Sequence, residues 1–322
     1  MDGRASAAVG ARVSEVRIRP TIAVCGEALV DLVSTGDQTF EARLGGGPFN
    51  VAVTVGRLGS PVGFCSRIST DPFGERLIAA LTASGVDLGL VQRGPEPTTL
   101  AVTGIDSDGS ARYTFYADGT ADRFVTDPGS LPESLVAVSF GTLSLVFEPG
   151  ASAYADLLRR SHDEGRLIIL DPNIRPAVFP DDYRRRFVDL LPAVDVLKVS
   201  DDDVHWLGQG LDGTTPAQWL EGGATAIVTT HGADGLSVQT SRLHVQVPGL
   251  RVPVSDTIGA GDTVHGALLH WFADHGLLGP ASVAALDGGQ WQDALEFAAH
   301  AAAVTVSRPG ADPPWASELT GD

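Results

Sequence analysis

The chain has few cysteines, few basic residues and no long apolar run. Of its 322 residues only 2 are cysteine, and they form no CxxC pair. Cys25 and Cys65 lie in apolar segments, which predicts buried, reduced thiols in a cytoplasmic protein and argues against a structural zinc site. No stretch is long and apolar enough to span a bilayer, so we expect no membrane partner.

The shortage of basic residues excludes a second class of partner. Lys and Arg total 22 against 40 Asp and Glu, which gives a net charge of −18. Nucleic acid is therefore not expected as a partner, because neutralising its phosphates needs clustered cations. An anionic substrate would need local help from backbone dipoles, arginine or a metal. Residues 1–19 contain four arginines but no apolar core like that of a signal peptide, and we predict a mobile tail there.

Short apolar runs alternate with helical patterns along the rest of the chain. This alternation predicts βαβ units, and hence an α/β fold with a mainly parallel sheet and helices on both faces. Ligands on such sheets bind at the carboxyl ends of the strands. The predicted strands are 21–25, 61–65, 137–140, 167–170, 194–198, 226–229 and 243–254. The predicted helices are 50–58, 73–84, 151–164, 183–191, 201–207, 216–220, 264–272 and 291–306.

Two stretches, 27–44 and 98–124, interrupt this alternation. They are richer in Thr, aromatic and alternating polar residues, and the second contains an Asp-Gly pair at 108–109 that is typical of a hairpin turn. We therefore predict a small antiparallel flap over the main sheet. Tyr113, Phe115 and Tyr116 are candidates for its apolar or dimer-facing surface.

The run from Val254 to Thr263 contains the most informative motif, Gly259-Ala260-Gly261-Asp262. A glycine turn between a predicted strand and a predicted helix presents backbone N–H groups at a helix N-terminus, which favours bound anions. Asp262 follows at once, where a carboxylate can orient a hydroxyl toward a phosphate. The helix dipole is expected to lower the pKa of Asp262 and keep it ionised at neutral pH.

Polar residues follow several other predicted strands. The glycines 45–47 would let the backbone approach a ligand, and Asn50 offers a donor and an acceptor to a polyol or else caps a helix. Asp31 could accept hydrogen bonds from sugar hydroxyls or be a solvated loop acid. Asp171 and Asn173 suit water-mediated magnesium contacts, and Arg175 could pair with a phosphate or a substrate oxygen; the alternative is an ordinary Asp-Pro turn.

The ends of two later strands are less specific. Asp201 and Asp202 suit the first turn of a helix, and Asp203 could in addition reach magnesium through water. The segment 230–235 could bind the phosphates of a nucleotide or form a plain hairpin turn. The GxGxxG spelling at 208–213 follows a helical pattern and not a strand, so it lacks the context of a dinucleotide site. His265, His270 and His275 recur every five residues, which does not give a zinc-binding pair.

Taken together, the glycine motif with Asn50 and the later 256–262 motif resemble the two signatures of the PfkB (ribokinase-like) carbohydrate kinase family. The resemblance covers about residues 21–311 and is strongest to the fructokinase branch. It implies a three-layer α/β/α sandwich with a small β lid. The kinase domain would span 20–314, with lid segments at about 33–44 and 98–124, and a C-terminal tail would follow at 315–322. It also implies transfer of the γ-phosphoryl group of ATP, with Mg²⁺, to a primary hydroxyl of a small sugar, most simply fructose.

The same resemblance implies roles for individual residues. Asp262 would be the catalytic base, with Gly259, Ala260 and Gly261 as the anion hole. The implied sugar-binding residues are Asp31, Gly46, Gly47, Asn50 and Arg175. The implied nucleotide-binding residues are Lys198, Thr230, Gly232, Gly235, His300 and Ala303, the last two on the helix that would flank the adenine. The implied metal contacts are Asp203 for Mg²⁺ through water and Asp256 with Ile258 for a monovalent cation such as K⁺.

The sequence departs from the family at a few positions and leaves alternatives open. Ser200 and Asp203 stand where the family has Asn and Glu, which bears on magnesium binding, and Gly47 stands where alanine is common, which is expected to change little. Family members often dimerise through the lid, so a homodimer is an expectation. The alternative acceptor is 2-keto-3-deoxygluconate or another sugar acid, since Arg175 could serve a carboxylate. A non-catalytic sensor on the same fold is the alternative from another class.

Overall fold

The computed structural model describes residues 19–36, 39–105, 111–180, 182–210 and 213–319. Residues 1–18 of the tail predicted at 1–19, and the predicted Asp-Gly turn at 108–109, lie outside these ranges. The strands are β1 (Ile22–Cys25), β2 (Leu29–Gly36), β3 (Thr39–Gly45), β4 (Val62–Ser69), β5 (Val91–Gly94), β6 (Leu100–Ile105), β7 (Ala111–Tyr116), β8 (Ala137–Gly141), β9 (Leu167–Asp171), β10 (Val196–Ser200), β11 (Ala226–Thr230), β12 (Leu236–Thr240) and β13 (His244–Val247). The α-helices are α1 (Gly47–Arg57), α2 (Pro72–Ala83), α3 (Gly150–Asp163), α4 (Tyr183–Leu190), α5 (Asp201–Leu207), α6 (Pro216–Glu221), α7 (Ala260–Asp274), α8 (Pro280–Ala285), α9 (Gly288–Val306) and α10 (Ala316–Leu319).

Nine strands form the main sheet in the order β13-β12-β11-β10-β9-β8-β1-β4-β5. All neighbours from β11 to β5 are parallel, and β12 and β13 add an antiparallel edge. Helices cover both faces because consecutive residues of a buried strand point to opposite sides. On β1, Ile22 and Val24 face α1, α2, α7, α8 and α9, whereas Ala23 and Cys25 face α3 to α6. The predicted α/β fold class is confirmed.

The lid is a second sheet of four strands in the order β3-β2-β6-β7. Strand β2 pairs antiparallel with β3 and parallel with β6, and β6 pairs antiparallel with β7. The chain enters the lid directly after β1, through Gly26, and returns from β3 into α1. The lid is therefore attached at the carboxyl ends of the central strands, above the positions where ligands of parallel sheets bind.

The strand predicted at 243–254 is wrong in its second half. Strand β13 ends at Val247, and the described segment 248–259 contains no strand. Pro248 and Pro253 cannot donate to a strand ladder, and Gly249 packs against the backbone of Ala233. The glycine motif is therefore reached through a loop and not directly from a strand.

The described part of the predicted C-terminal tail, residues 315–319, packs against the rest of the chain. It contains α10, whose Glu318 pairs with Arg308, and Arg57 lies over the ring of Trp315. No described helix has the length and apolar character needed to cross a membrane.

Candidate active site

A cavity of about 270 Å³ lies between the lid and the carboxyl ends of the central strands. Its lining comes from six parts of the chain: the β1–β2 connection with the start of β2, the start of α1, strand β7, the segment after β8, the segment after β9, and the turn before α7 with the first residues of that helix. The lining residues are Glu27, Leu29, Asp31, Gly46, Gly47, Asn50, Phe115, Thr142, Leu143, Asn173, Arg175, Thr257, Ile258, Gly259, Gly261 and Asp262. Every predicted sugar-binding residue lines this one cavity.

The two glycine-containing motifs meet at a buried hydrogen bond. Asn50 Nδ2 donates to Asp262 Oδ2 over 2.8 Å, although the residues are 212 positions apart. Asn173 Nδ2 lies 3.4 Å from Asp262 Oδ1. Helix α1 begins at Gly47 with Pro48 in its first turn, so Asn50 is inside the helix and does not cap it. The hypothesis that Asn50 is only a helix cap is therefore wrong.

The start of α7 has the geometry of an anion site. Gly259 is its N-cap in a left-handed conformation with φ 77°, and no described side chain caps this helix end. A Cβ at Gly259 would overlap Ala311, so both the conformation and the packing require glycine. Gly259, Gly261 and Asp262 line the cavity, so the positive end of the helix dipole lies at its wall beside Asp262.

Burial changes the expected ionisation of Asp262. The residue is buried, and this burial raises the pKa of its carboxyl above the ordinary value; the nearby Asp171 raises it further, whereas the Asn50 hydrogen bond lowers it. The prediction that the helix dipole lowers this pKa is therefore wrong in direction. A base with a raised pKa takes a proton from a hydroxyl more readily once it is ionised.

A buried ion pair lies next to Asp262. Lys198, the only lysine of the chain, places its Nζ 2.8 Å from Asp171 Oδ2, and both side chains are buried. A Cβ added at Gly261 would lie 2.9 Å from this Nζ, so the ammonium is next to the anion-hole turn. Burial disfavours the charged lysine, but Asp171 outweighs it and the pKa of Lys198 is raised. The site therefore holds a fixed positive charge beside the turn.

One histidine that the sequence analysis discounted also belongs to this buried group. His265 Nε2 lies 2.9 Å from Ser139 Oγ, and its Nδ1 lies 3.8 Å from Asp171 Oδ2. His265 follows Asp262 by about one helical turn, so the two side chains lie on the same face of α7. The sequence analysis compared His265 only with His270 and His275, and that comparison could not reveal this proximity.

The lid side of the cavity contains a second carboxylate. Burial raises the pKa of Asp31 to about 6, although Arg175 and Arg43 partly counter the effect. Asp31 lies on strand β2 of the lid, so it is not a solvated loop acid. Arg175 Nη1 donates to Asn173 Oδ1 over 2.7 Å, which fixes the guanidinium at the cavity wall.

Gly47 leaves little room for a side chain. A Cβ at this position would overlap Thr142 Oγ1 and approach within 3.4 Å of Asp262 Oδ1. The hydroxyl of Thr142 thus fills the space that an alanine would need, and the expectation that glycine in place of alanine changes little stays a prediction.

Thr142, Leu143 and Glu27 line the cavity but were not predicted as binding residues, and Asn173 was predicted only as a magnesium contact. Thr142 and Asn173 have φ values of 56° and 41°, which is uncommon for residues other than glycine and is typical of functional sites. They follow the carboxyl ends of the neighbouring strands β8 and β9. Ligands of parallel sheets bind at such ends, so the predicted sheet was a signal that could have identified both residues.

Comparison with known proteins identifies the family. A model described as pfkB family carbohydrate kinase matches residues 19–318. The chain belongs to the pfkB family of carbohydrate kinases. It is 39% identical over 275 residues to a fructokinase of Rhizobium leguminosarum bv. trifolii. The aligned region covers 83% of this chain and 84% of that relative.

Solved structures agree with this assignment. A fructokinase with bound ATP from Xylella fastidiosa has a TM-score of 0.87 at 28% identity and covers 94% of this chain and 97% of its own. A fructokinase from Vibrio cholerae O395 in a fructose, ADP and calcium ion bound form has a TM-score of 0.76 at 26% identity, over 91% of this chain and 94% of its own. The kinase is thus a phosphotransferase with an alcohol group as acceptor, on a ribokinase-like fold.

The residues predicted to bind nucleotide do not converge in the same way. Thr230, Gly232 and Gly235 lie in the β11–β12 hairpin, outside the cavity lining. His231 in this hairpin contacts Asp201 Oδ1 and Ser237 Oγ, each over 2.8 Å. The turn is therefore a hairpin whose His231 is held by two side-chain contacts. Its role in nucleotide binding stays a prediction.

The two predicted residues on α9 are also apart from the cavity. Ala303 is buried. His300 lines a separate surface cleft with His270, Asp274 and Phe297, which shares no lining residue with the cavity at Asp262.

The predicted magnesium contact, Asp203, is engaged within the kinase itself. Its Oδ1 accepts from Ile174 N over 2.7 Å, and its Oδ2 accepts from Ser200 N and Oγ over 2.8 and 2.7 Å. Ser200 caps α5 in return, so the pair forms a capping box. Among the described residues no group of three or more His, Cys, Asp and Glu is arranged to hold a metal ion. The geometry favours a structural role for Asp203.

The carboxylate predicted to bind a monovalent cation is likewise surrounded by donors. Asp256 Oδ1 accepts from Ile258 N over 3.0 Å, and Oδ2 accepts from Gly310 N over 2.9 Å and from Arg43 Nη1 over 3.2 Å. A cation on this carboxylate fits poorly, because backbone N–H groups already donate to both oxygens and the cation would lie close to the positive charge of Arg43.

Proposed function

We propose that the kinase transfers the γ-phosphoryl group of ATP to a primary hydroxyl of fructose. The observation that carries this proposal is the meeting of Asp262, Asn50 and the uncapped start of α7 in one lidded cavity. The names of the relatives supply the acceptor, since the rhizobial protein and both structural neighbours are fructokinases.

In this reaction Asp262 would take the proton of the acceptor hydroxyl while the hydroxyl oxygen forms a bond to the γ-phosphorus. The bond from that phosphorus to the β–γ bridging oxygen breaks, and ADP leaves with the electron pair. Negative charge on the transferred group would be met by the N–H groups at 259–261 and by the ammonium of Lys198. Mg²⁺ bound to the ATP phosphates would neutralise part of their charge.

The sugar would be held by groups on both sides of the cavity. Asp31 accepts hydrogen bonds from hydroxyls, Asn50 both donates and accepts, and Gly46 and Gly47 let the backbone come close to the ligand. Arg175 could bind a ketose oxygen or, in the alternative function, the carboxylate of a sugar acid. On the nucleotide side we retain Lys198, together with Thr230, Gly232, Gly235 and Ala303, as proposed contacts.

We further propose that the enzyme works as a cytoplasmic homodimer paired through the lid. The edge strands β3 and β7 expose Phe40 and Tyr116 by 53% and 62%, and aromatic residues are enriched at protein interfaces. Cys25 and Cys65 are free thiols, which suits a reducing compartment. Light scattering on the wild type and on a Phe40→Ser/Tyr116→Ser variant tests the dimer, since the variant should be monomeric.

A coupled ADP-release assay with ATP and Mg²⁺ tests the function itself. Fructose, ribose, 2-keto-3-deoxygluconate and adenosine would be compared by kcat/KM, with fructose expected to be highest. A higher value for the sugar acid would favour the alternative acceptor. Binding of fructose and ATP by calorimetry without any ADP release would instead indicate a sensor.

A further inference from the structure

One arginine of the lid reaches the loop that precedes the anion hole. Arg43 lies on strand β3, and its Nη1 is 3.2 Å from Asp256 Oδ2, a residue 213 positions further along the chain. Its Nη2 is 3.0 Å from Glu41 Oε2 on the same strand. The side chains of Arg43 and Asp256 are only 28% and 19% exposed, so their pairing is less screened than that of a surface pair.

Asp256 connects this arginine to the catalytic turn. Its Oδ1 accepts from Ile258 N, next to Gly259, and its Oδ2 also accepts from Gly310 N. Gly259 packs against Ala311. Asp256 therefore holds both segments of this contact, the one at Ile258 and Gly259 and the one at Gly310 and Ala311. Without Arg43, this carboxylate would keep two backbone donors but lose its neutralising charge.

We propose that Arg43 is a positioning residue that holds the anion-hole turn through Asp256 while the lid covers the sugar, and that its guanidinium takes the place of a monovalent cation at this carboxylate. The inference rests on the proposed function, because it concerns the rate of phosphoryl transfer. It follows that turnover should not depend on K⁺, and that removing the guanidinium should create such a dependence.

The central test compares Arg43→Gln with a matched control, Glu41→Gln. The control removes the other partner of Arg43 but leaves the Asp256 contact in place. Both variants and the wild type are assayed with fructose and ATP·Mg²⁺ in KCl and in tetramethylammonium chloride of equal ionic strength. Fructose binding and thermal unfolding are measured on each protein to establish that it is folded.

In tetramethylammonium chloride we expect Arg43→Gln to lose about 10- to 100-fold in kcat with a smaller change in the KM for fructose, since small displacements of a catalytic group have effects of this size. K⁺ should restore part of the loss, because it can approach the freed carboxylate. Arg43→Lys should retain most of the activity, since a point charge still faces Asp256. The wild type and Glu41→Gln should have equal kcat in the two salts.

A second variant addresses the case in which Arg43→Gln does not fold. Asp256→Asn removes the charge that attracts a cation, so it should lower kcat without gaining any stimulation by K⁺. A wild type that needs K⁺ for turnover would overturn the inference, as would an Arg43→Gln enzyme with normal kcat or an Asp256→Asn enzyme that K⁺ stimulates. A wild type that phosphorylates no sugar in either salt would refute the proposed function instead.

Discussion

The predicted sugar side and the predicted nucleotide side of this kinase are built differently. On the sugar side, buried polar groups from distant parts of the chain meet in one cavity and are already hydrogen-bonded, as in the Asn50–Asp262 contact. On the nucleotide side, Lys198 is buried beside Gly261, whereas the other predicted contacts lie in the β11–β12 hairpin and on α9, outside that cavity. Changes at Lys198 and among the buried groups of the cavity should therefore have larger effects than changes in the hairpin.

The largest expected effect is on turnover. Asp262→Asn keeps the shape of the side chain but removes the proton acceptor, so kcat should fall about 10²- to 10⁴-fold. Calorimetry should show that ATP and fructose still bind, because the other contacts remain. A variant with nearly normal kcat would show that Asp262 is not the base.

The next effect is on stability. Lys198→Met leaves Asp171 buried without its partner, and losing one member of a buried pair costs about 3–5 kcal/mol. Urea denaturation measures the free energy of unfolding. Adding Asp171→Leu in the same chain should recover most of the loss. A single variant as stable as the wild type would contradict the ion pair.

A smaller effect should follow from filling the space at Gly47. Gly47→Ala forces its Cβ against Thr142 Oγ1, and such overpacking costs about 1–3 kcal/mol of stability. Because the displaced groups line the cavity beside Asp262, kcat/KM for fructose should also fall, by roughly tenfold. Thr142→Ala in the same chain removes the opposing oxygen and should restore the rate, whereas Thr142→Ser should not. Equal rates for the two double variants would rule out this steric explanation.

A pH dependence of stability should come from Glu27. Burial raises the pKa of this carboxyl from 4.5 to about 8, so between these values the native state holds a proton that the unfolded chain has lost. The free energy of unfolding should therefore fall as pH rises through this window, by up to about 1.4 kcal/mol per pH unit. Glu27→Gln should flatten the slope between pH 6 and 8, while the exposed control Glu41→Gln should leave it unchanged.

The smallest effects are expected in the nucleotide turn. Gly232 has φ 56° and open space around its Cα, so Gly232→Ala adds only the strain of a left-handed alanine. The KM for ATP should rise a few-fold. Gly235→Ala would in addition overlap the backbone of Val247, and it should lower the thermal unfolding temperature more than Gly232→Ala does. If Gly232→Ala lowered the unfolding temperature more than Gly235→Ala, the overlap with Val247 would not be the main source of destabilisation.

Much of the fold was predictable from local patterns. The buried strands and most helices were predicted to within a few residues, because continuous apolar runs and helical periodicity are local signals. The edge strand β5 and the strand β12, which lies next to the other edge, were missed, and β13 was predicted too long. Short strands at or near an edge are only partly buried, so they have weaker apolar patterns, and the prolines after β13 end its ladder.

The sequence alone determined the family, the α/β class and five of the residues that line the cavity. Glycine turns and the polar residues that follow strands are recognisable from short stretches of sequence. Only the tertiary structure decided the direction of the Asp262 pKa shift, the position of Thr142 against Gly47 and the pairing of Arg43 with Asp256. These properties depend on burial and on contacts between residues far apart in the chain, which no local pattern encodes.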